Sequence, residues 1–310
     1  MRLGEFELIR RYFDVEPPQN AATALGIGDD CALLDIPPGQ QLAVTTDAMV
    51  ETVHFYPHTD PALLGHKLLA VNLSDLAAMG AQPCAVTLSL TLPHADPDWL
   101  AAFAGGFLQL ARRHQVDLIG GDTTRGPLCL SAQALGLIPA GQALRRGGAR
   151  PGDMIYLSGD IGDAGLGLKI LQGRAFNDPE ALERLHRPTP RVELGLQLRG
   201  IASSCIDISD GLAADLGHIL SMSNVGARLE WDKLPLSAAV SAYILETGDW
   251  TLPLTAGDDY ELCFTAPPEK QRQIPPGCAC IGEIQSQPGL RLRRFGREHP
   301  YSGNSGYAHF

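Results

Sequence analysis

The chain has 310 residues, 45% of them hydrophobic and 19% charged, with a formal net charge of −11. That length implies about two domains, and the composition is too apolar for disorder. The negative charge argues against a nucleic-acid partner, whose backbone demands basic surface, and admits small phosphorylated ligands where cations mediate.

Taken in chain order, the start, MRLGEFELIRRYF, carries charges throughout and so lacks the apolar core of a signal peptide; EFELIRRYF has helical spacing. Leu42–Val44 reads as a strand whose end carries Thr45, Thr46 and Asp47. A long helix follows, with Asp60 as N-cap, Pro61 as first residue and Gly80 as stop. CAVTLSLTL is a strand, and a second long helix opens on Asp96-Pro97. VDLIGGDTTRG reads as a strand, Val116–Ile119, ending in a glycine turn that holds Asp122; LCLSAQALGLI is a further strand.

The stretch 139–153, PAGQALRRGGARPGD, is rich in Gly, Pro and Arg and marks the boundary between domains at 1–140 and 150–310. Beyond it, MIYLSGDIGDAGLGLKIL reads strand, glycine loop, helix, and RVELGLQLRGI is a helix. SSCIDISDGLAADLGHIL is a strand running into a helix with Ser209 or Asp210 near the cap, and YELCFTA is a strand. Helices and strands mix in both halves, so two α+β or α/β domains are expected. The stretch Leu76–Pro93, free of charged residues and histidine, contains Gly80, Gln82 and Pro83 and is read as helix end, turn and strand, with no membrane span. Seven scattered cysteines, an odd number without zinc spacing, point to free thiols in a reducing cytoplasm.

Six acidic motifs ask for one explanation: Asp29-Asp30, Thr45-Thr46-Asp47, Asn72-Leu73-Ser74-Asp75, Gly120-Gly121-Asp122, Asp207-Ile208-Ser209-Asp210 and Gly257-Asp258-Asp259. Any one of them alone is best read as a turn or a helix cap. Two carboxylates ~4 Å apart repel by about 4 kcal/mol at an effective dielectric of ~20, so several that converge need a counter-ion. Only four lysines are present, and neither a P-loop nor a protein-kinase signature occurs. Magnesium, which takes oxygen ligands from carboxylates and phosphates, is the natural partner.

Together GIGDDCALL, TTDAMVETVHF, VNLSDLAAMGAQP, LIGGDTTRG, RRGGARPGD, CIDISDGL and GDDYELCF resemble the thiamine-monophosphate kinase family, within the superfamily of aminoimidazole ribonucleotide synthetase and selenophosphate synthetase. The motifs follow the family's order across nearly the whole chain. The resemblance implies ATP-dependent, magnesium-assisted, in-line phosphorylation of thiamine monophosphate to thiamine diphosphate. It implies an α+β N-terminal domain with a mixed sheet that binds ATP and metal and pairs in a homodimer, and a C-terminal α/β domain that completes the active site. Asp30, Thr45, Thr46, Asp47, Asp75, Asp122, Asp207 and Asp210 would hold several magnesium ions or support them, with Asp47, Asp122 and Asp210 central to catalysis. Gly121, Asp122, Arg146 and Ser209 would contact ATP, and His54, Asp258 and Tyr307 the thiamine phosphate.

Two positions depart from the family pattern. Asp258 stands where the family has Glu, one methylene longer, and Ala308 stands where an acid precedes the terminal His-Phe. A superfamily relative acting on another acceptor, and a nucleotide- or metal-binding module without turnover, remain the alternatives at this level.

Overall fold

A computed structural model of the chain describes residues 5–14, 17–301 and 306. Tyr307, expected against the thiamine phosphate, lies outside the described residues. The chain divides into two units, Met1–Leu76 with Ala81–Gly141, and Ala77–Gly80 with Gln142–Phe310.

The first unit contains α1 (Glu5–Tyr12), β1 (Thr23–Leu25), β2 (Leu33–Leu34), β3 (Gln40–Val50), α2 (Pro61–Ala78, which falls in this unit up to Leu76), β4 (Gln82–Leu92), α3 (Pro97–Arg113), β5 (Asp117–Arg125) and β6 (Cys129–Pro139). Its main sheet has the order β3-β6-β4-β5, antiparallel except for the parallel β4–β5 pair, and β1 and β2 form a separate ribbon. Asp-Pro starts both long helices: Asp60 accepts from the Ala62 amide at 2.8 Å, and Asp96 from the Asp98 and Trp99 amides. α2 and α3 cross in backbone contact. A Cβ on Gly65 would come within 2.1 Å of the Phe103 carbonyl oxygen, and one on Gly106 within 2.0 Å of that of Ala62, so only glycine fits at either position. That approach buries Leu68, Leu69, Leu73, Phe103 and Phe107 completely.

β3 and β5 run further than the local sequence suggests. The β3–β6 ladder continues without a break from Gln40↔Pro139 to Val50↔Cys129. Thr45, Thr46 and Asp47 therefore lie in mid-strand, where the sequence placed them past the end of one. Likewise Asp122 lies inside β5, opposite Ser89 of β4. In both cases pairing with a neighbouring strand carries the element through an aspartate, and in β5 through two glycines as well, residue types disfavoured in strands.

The second unit contains β7 (Met154–Leu157), α4 (Asp163–Leu171), α5 (Pro179–His186), α6 (Val192–Gln197), β8 (Ser204–Asp207), α7 (Leu212–Ser223), β9 (Gly226–Glu230), α8 (Ala238–Thr247), α9 (Leu252–Thr255), β10 (Leu262–Ala266), β11 (Ala279–Gln285), β12 (Gly289–Arg294) and β13 (Arg297–Pro300). Seven strands form one mixed sheet, β13-β12-β9-β11-β7-β10-β8, in which β12 and β9 are parallel and the other neighbours antiparallel. Ile155, Leu157, Ile206, Leu216, Ile219 and Leu229 build its core. Both units are thus α+β.

β10 organises the functional end of this sheet. It pairs antiparallel with β7 on one side (Cys263↔Leu157) and β8 on the other (Leu262↔Asp207). The C-terminal ends of β7 and β8 therefore lie beside the start of β10. Three loops converge there: 158–162, 208–211 and 257–261.

Candidate active site

In the first unit the expected residues separate into two groups. β3 and β5 are the outer strands of the sheet, with β6 and β4 between them, so Asp47 and Asp122 are separated by three strand spacings, about 14 Å.

The β3 group contains Thr45, Asp47 and Asp75. Thr45 donates its hydroxyl to Asp75 Oδ2, joining strand to helix. Burial pushes the Asp47 carboxyl up to about 6, and the charge of Asp75 adds to the rise. Thr46, the next residue along, is exposed and accepts from Gln133 Nε2 at 3.2 Å. His54, in the turn after β3, accepts the Val50 amide on Nδ1 at 3.0 Å, which leaves the proton of the neutral ring on Nε2.

The β5 group contains Asp30, Gly121 and Asp122. All three line a cleft of about 670 Å³ together with Gly28, Asp29 and Thr87. Asp29 Oδ1 accepts the Asp30 amide at 2.8 Å, so of the adjacent acids the first shapes the turn. Gly121 has φ 153°, and a Cβ there would fall 1.8 Å from the Leu88 carbonyl oxygen, so the strand backbone passes at a distance no side chain permits.

In the second unit Asp207, Ser209, Asp210 and Asp258 are brought together by the convergent loops. The Asp258 amide donates to the Ser209 carbonyl at 2.9 Å and the Tyr260 amide to that of Ile208 at 2.8 Å. Arg146 is exposed in the segment before β7; its neighbour Arg145 accepts the Cys205 amide of β8 at 2.8 Å.

The residues that hold these loops had no role assigned from the sequence. Asp215 Oδ2 accepts the amides of Ser209, Asp210 and Gly211 at 3.0–3.1 Å. Gly211 is the N-cap of α7, next to Ser209 and Asp210 as expected, but it has no side chain to offer, so the amides are capped by an acid one turn inside the helix. Burial raises Asp215 to about 7 against the pull of those amides. Asp259 caps α4 from the 257–261 loop: Oδ2 accepts the Gly162 amide at 2.7 Å and Oδ1 the Ala164 amide at 3.2 Å. Burial raises it to about 8, with both amides and Arg184 opposing.

Glu261, fully buried, accepts from Arg184 at 2.6 Å, from Arg191 Nε at 2.7 Å and from the Ser158 hydroxyl. Burial pushes its carboxyl up, but the Arg191 hydrogen bond and charge, with Arg184 and Ser158, outweigh this and hold it below its usual range. An acid in the first turns of α7 was a readable signal for Asp215; Asp259 stood out only as part of the Gly257-Asp258-Asp259 motif, and nothing local gave it or Glu261 a role.

Among the described residues, no three of His, Cys, Asp and Glu gather closely enough to hold a metal by themselves. The donor set still fits magnesium, which works with one or two carboxylates and completes its octahedron from phosphates and water. The Asp47–Asp75 pair, each raising the cost of the other's charge, with a threonine hydroxyl alongside, is the arrangement a hard cation relieves.

The chain resembles known proteins along its whole length. Residues 28–138 match the family "AIR synthase related protein, N-terminal domain" and residues 150–293 the family "AIR synthase related protein, C-terminal domain". The thiamine-monophosphate kinase of Salmonella typhimurium is 47% identical over 100% of this chain and 99% of its own length. The crystal structure of the thiamine-monophosphate kinase from Stenotrophomonas maltophilia superposes with a TM-score of 0.86 at 45% identity, covering 94% of this chain and 97% of that one. A solved structure of AaThiL complexed with AMPPCP and TMP gives a TM-score of 0.80 at 28% identity over 100% of this chain and 99% of that one. With both domain matches in order and near-half identity along its full length, the chain belongs to the thiamine-monophosphate kinase family.

Proposed function

We infer that the chain transfers the γ-phosphoryl group of ATP to thiamine monophosphate, giving thiamine diphosphate. The observation that carries this is the 47% identity over the whole chain to a thiamine-monophosphate kinase. The site chemistry agrees. The acceptor is a phosphate, anionic near neutral pH, so no general base is needed to make the nucleophile. The difficulty is bringing two anions into line, and the chain's response is carboxylates without a lysine cradle.

Asp47, Asp75 and Thr45 would hold magnesium on β3, Asp30 and Asp122 on β5, and Asp207 and Asp210 after β8, with Thr46 in support. When bound, the cations neutralise phosphate oxygens and orient the reacting groups. Gly121, Arg146 and Ser209 would contact ATP. Gly121 offers exposed backbone, and Arg146 offers an exposed guanidinium. His54 would donate Nε2–H to the thiamine phosphate, its other nitrogen being held by the Val50 amide. Asp258 would meet the same substrate, and Tyr307 with it.

The reading includes a homodimer formed through the first unit. The outward face of β3 supports it, since it leaves Leu42 at 39% and Val44 at 54% exposure. It also includes a cytoplasmic setting, supported by seven free thiols; no described helix is long and apolar enough to cross a membrane.

The test is turnover of ATP with thiamine monophosphate beside free thiamine. The expected result is thiamine diphosphate from the monophosphate and no phosphorylation of thiamine. Comparable phosphorylation of thiamine, or ADP release without thiamine diphosphate, overturns the assignment.

A further inference from the structure

The 257–261 loop is an unusual piece of backbone. Asp258 and Tyr260 both have left-handed φ, 67° and 50°, and neither is glycine. Such a conformation persists only where its surroundings over-determine it. Asp259, between them, points the opposite way, is 3% exposed, and takes the Gly162 and Ala164 amides at the start of α4. The Tyr260 hydroxyl returns to Asp258 Oδ1 at 3.0 Å. The loop is thus pinned at its centre, and the two flanking side chains, both half-buried, are tied to each other.

We propose that Asp259 is the positioning residue that presents Asp258 to the thiamine phosphate, by anchoring the loop to the N-terminus of α4, and that Tyr260 sets the direction of the Asp258 carboxylate. The proposal rests on the reading that Asp258 contacts this substrate. It also accounts for a shorter acid at that position: a side chain one methylene short of the family's Glu reaches its target only if the backbone beneath it is held in one place. The α4 terminus serves here as the fixed point. Gly165, directly after Ala164, packs so closely against Ala256 that an added Cβ would lie 2.3 Å from the Ala256 Cβ, which ties the helix to the chain entering the loop.

The experiment is steady-state kinetics on the full chain, varying thiamine monophosphate and magnesium–ATP separately, for wild type, Asp259→Asn and Tyr260→Phe. Asparagine keeps one acceptor but turns an N–H toward an amide N–H, so the anchor is lost at constant size. Asp259→Asn should raise KM for thiamine monophosphate about tenfold and leave KM for ATP within about twofold. Tyr260→Phe should raise the same KM roughly threefold with the melting temperature unchanged, and it alone decides if Asp259→Asn does not fold. A merely structural role moves both KM values alike or neither, and either pattern overturns the proposal. Wild type that fails to turn over thiamine monophosphate overturns the underlying reading instead, and is recognised before any substitution is made.

Discussion

Thr45 on β3 donates its hydroxyl to the Asp75 carboxylate on α2, thirty residues along the chain. One bond therefore joins two motifs, Thr-Thr-Asp and Asn-Leu-Ser-Asp, that are each too short to signify alone. A hydrogen bond to a charged group is worth about 1.5–3 kcal/mol, so Thr45→Val should lower stability by about 1–2 kcal/mol in chelator. It should also weaken manganese binding, read by calorimetry. Unchanged urea melts together with unchanged manganese affinity would remove Thr45 from the site.

Asp47→Asn separates the charge from the fold. With its carboxyl raised to about 6, Asp47 favours the protonated form in the folded state, so its stabilising contribution is present at low pH and lost as pH rises from ~4 through ~6. Metal-free Asp47→Asn should therefore match wild type near pH 4 and exceed it at pH 8, by an upper limit of about 3 kcal/mol for a shift of this size. Magnesium with ATP should then stabilise wild type far more than the variant, and turnover should collapse. A variant that melts lower at pH 8 and turns over normally contradicts the metal role.

Asp122→Asn makes the complementary case. Asp122 is exposed on the rim of its cleft, so its replacement should change stability by no more than ~0.5 kcal/mol. Turnover should nonetheless fall by more than about a hundredfold, the scale of losing one electrostatic contact at a reacting phosphate. Retention of a tenth or more of wild-type activity would mark Asp122 as a strand residue without a part in transfer.

Glu261→Gln tests the buried clamp. It leaves Arg184 and Arg191 without their shared carboxylate and should cost about 3–5 kcal/mol. Because the Glu261 carboxyl is held below its usual range, its contribution is present above the unfolded value near 4.5 and lost as pH falls through the lower folded value. Wild type and variant should therefore converge in urea melts taken toward acid. A gap that persists undiminished at low pH would mean the clamp acts by shape and not by charge.

Val44→Glu addresses the assembly. Val44 is 54% exposed on the outer strand β3, so a charge there leaves the core of the unit intact. Wild type should scatter light as twice the 33.1 kDa chain mass and the variant as one chain. A monomeric wild type at micromolar concentration would remove the homodimer from the reading.

The sequence by itself determined the helices that begin on Asp-Pro, since a capping carboxylate followed by a preset φ is local chemistry that distant residues do not alter. It also determined the family, because seven short motifs in fixed order carry joint information that none holds singly. Strand extent was decided elsewhere. Thr45–Asp47 read as the end of a strand and Gly120–Asp122 as a glycine turn, and it is the β6 and β4 ladders that draw them into mid-strand.

Tertiary structure alone also sorted the acids by role. Asp258 and Asp259 are neighbours in sequence with the same side chain. The fold leaves one half-buried beside Tyr260 and buries the other against the Gly162 amide ninety-seven residues away. Local sequence does not encode that difference, because burial and hydrogen bonding belong to the surroundings that the fold brings to a residue and not to the residue itself.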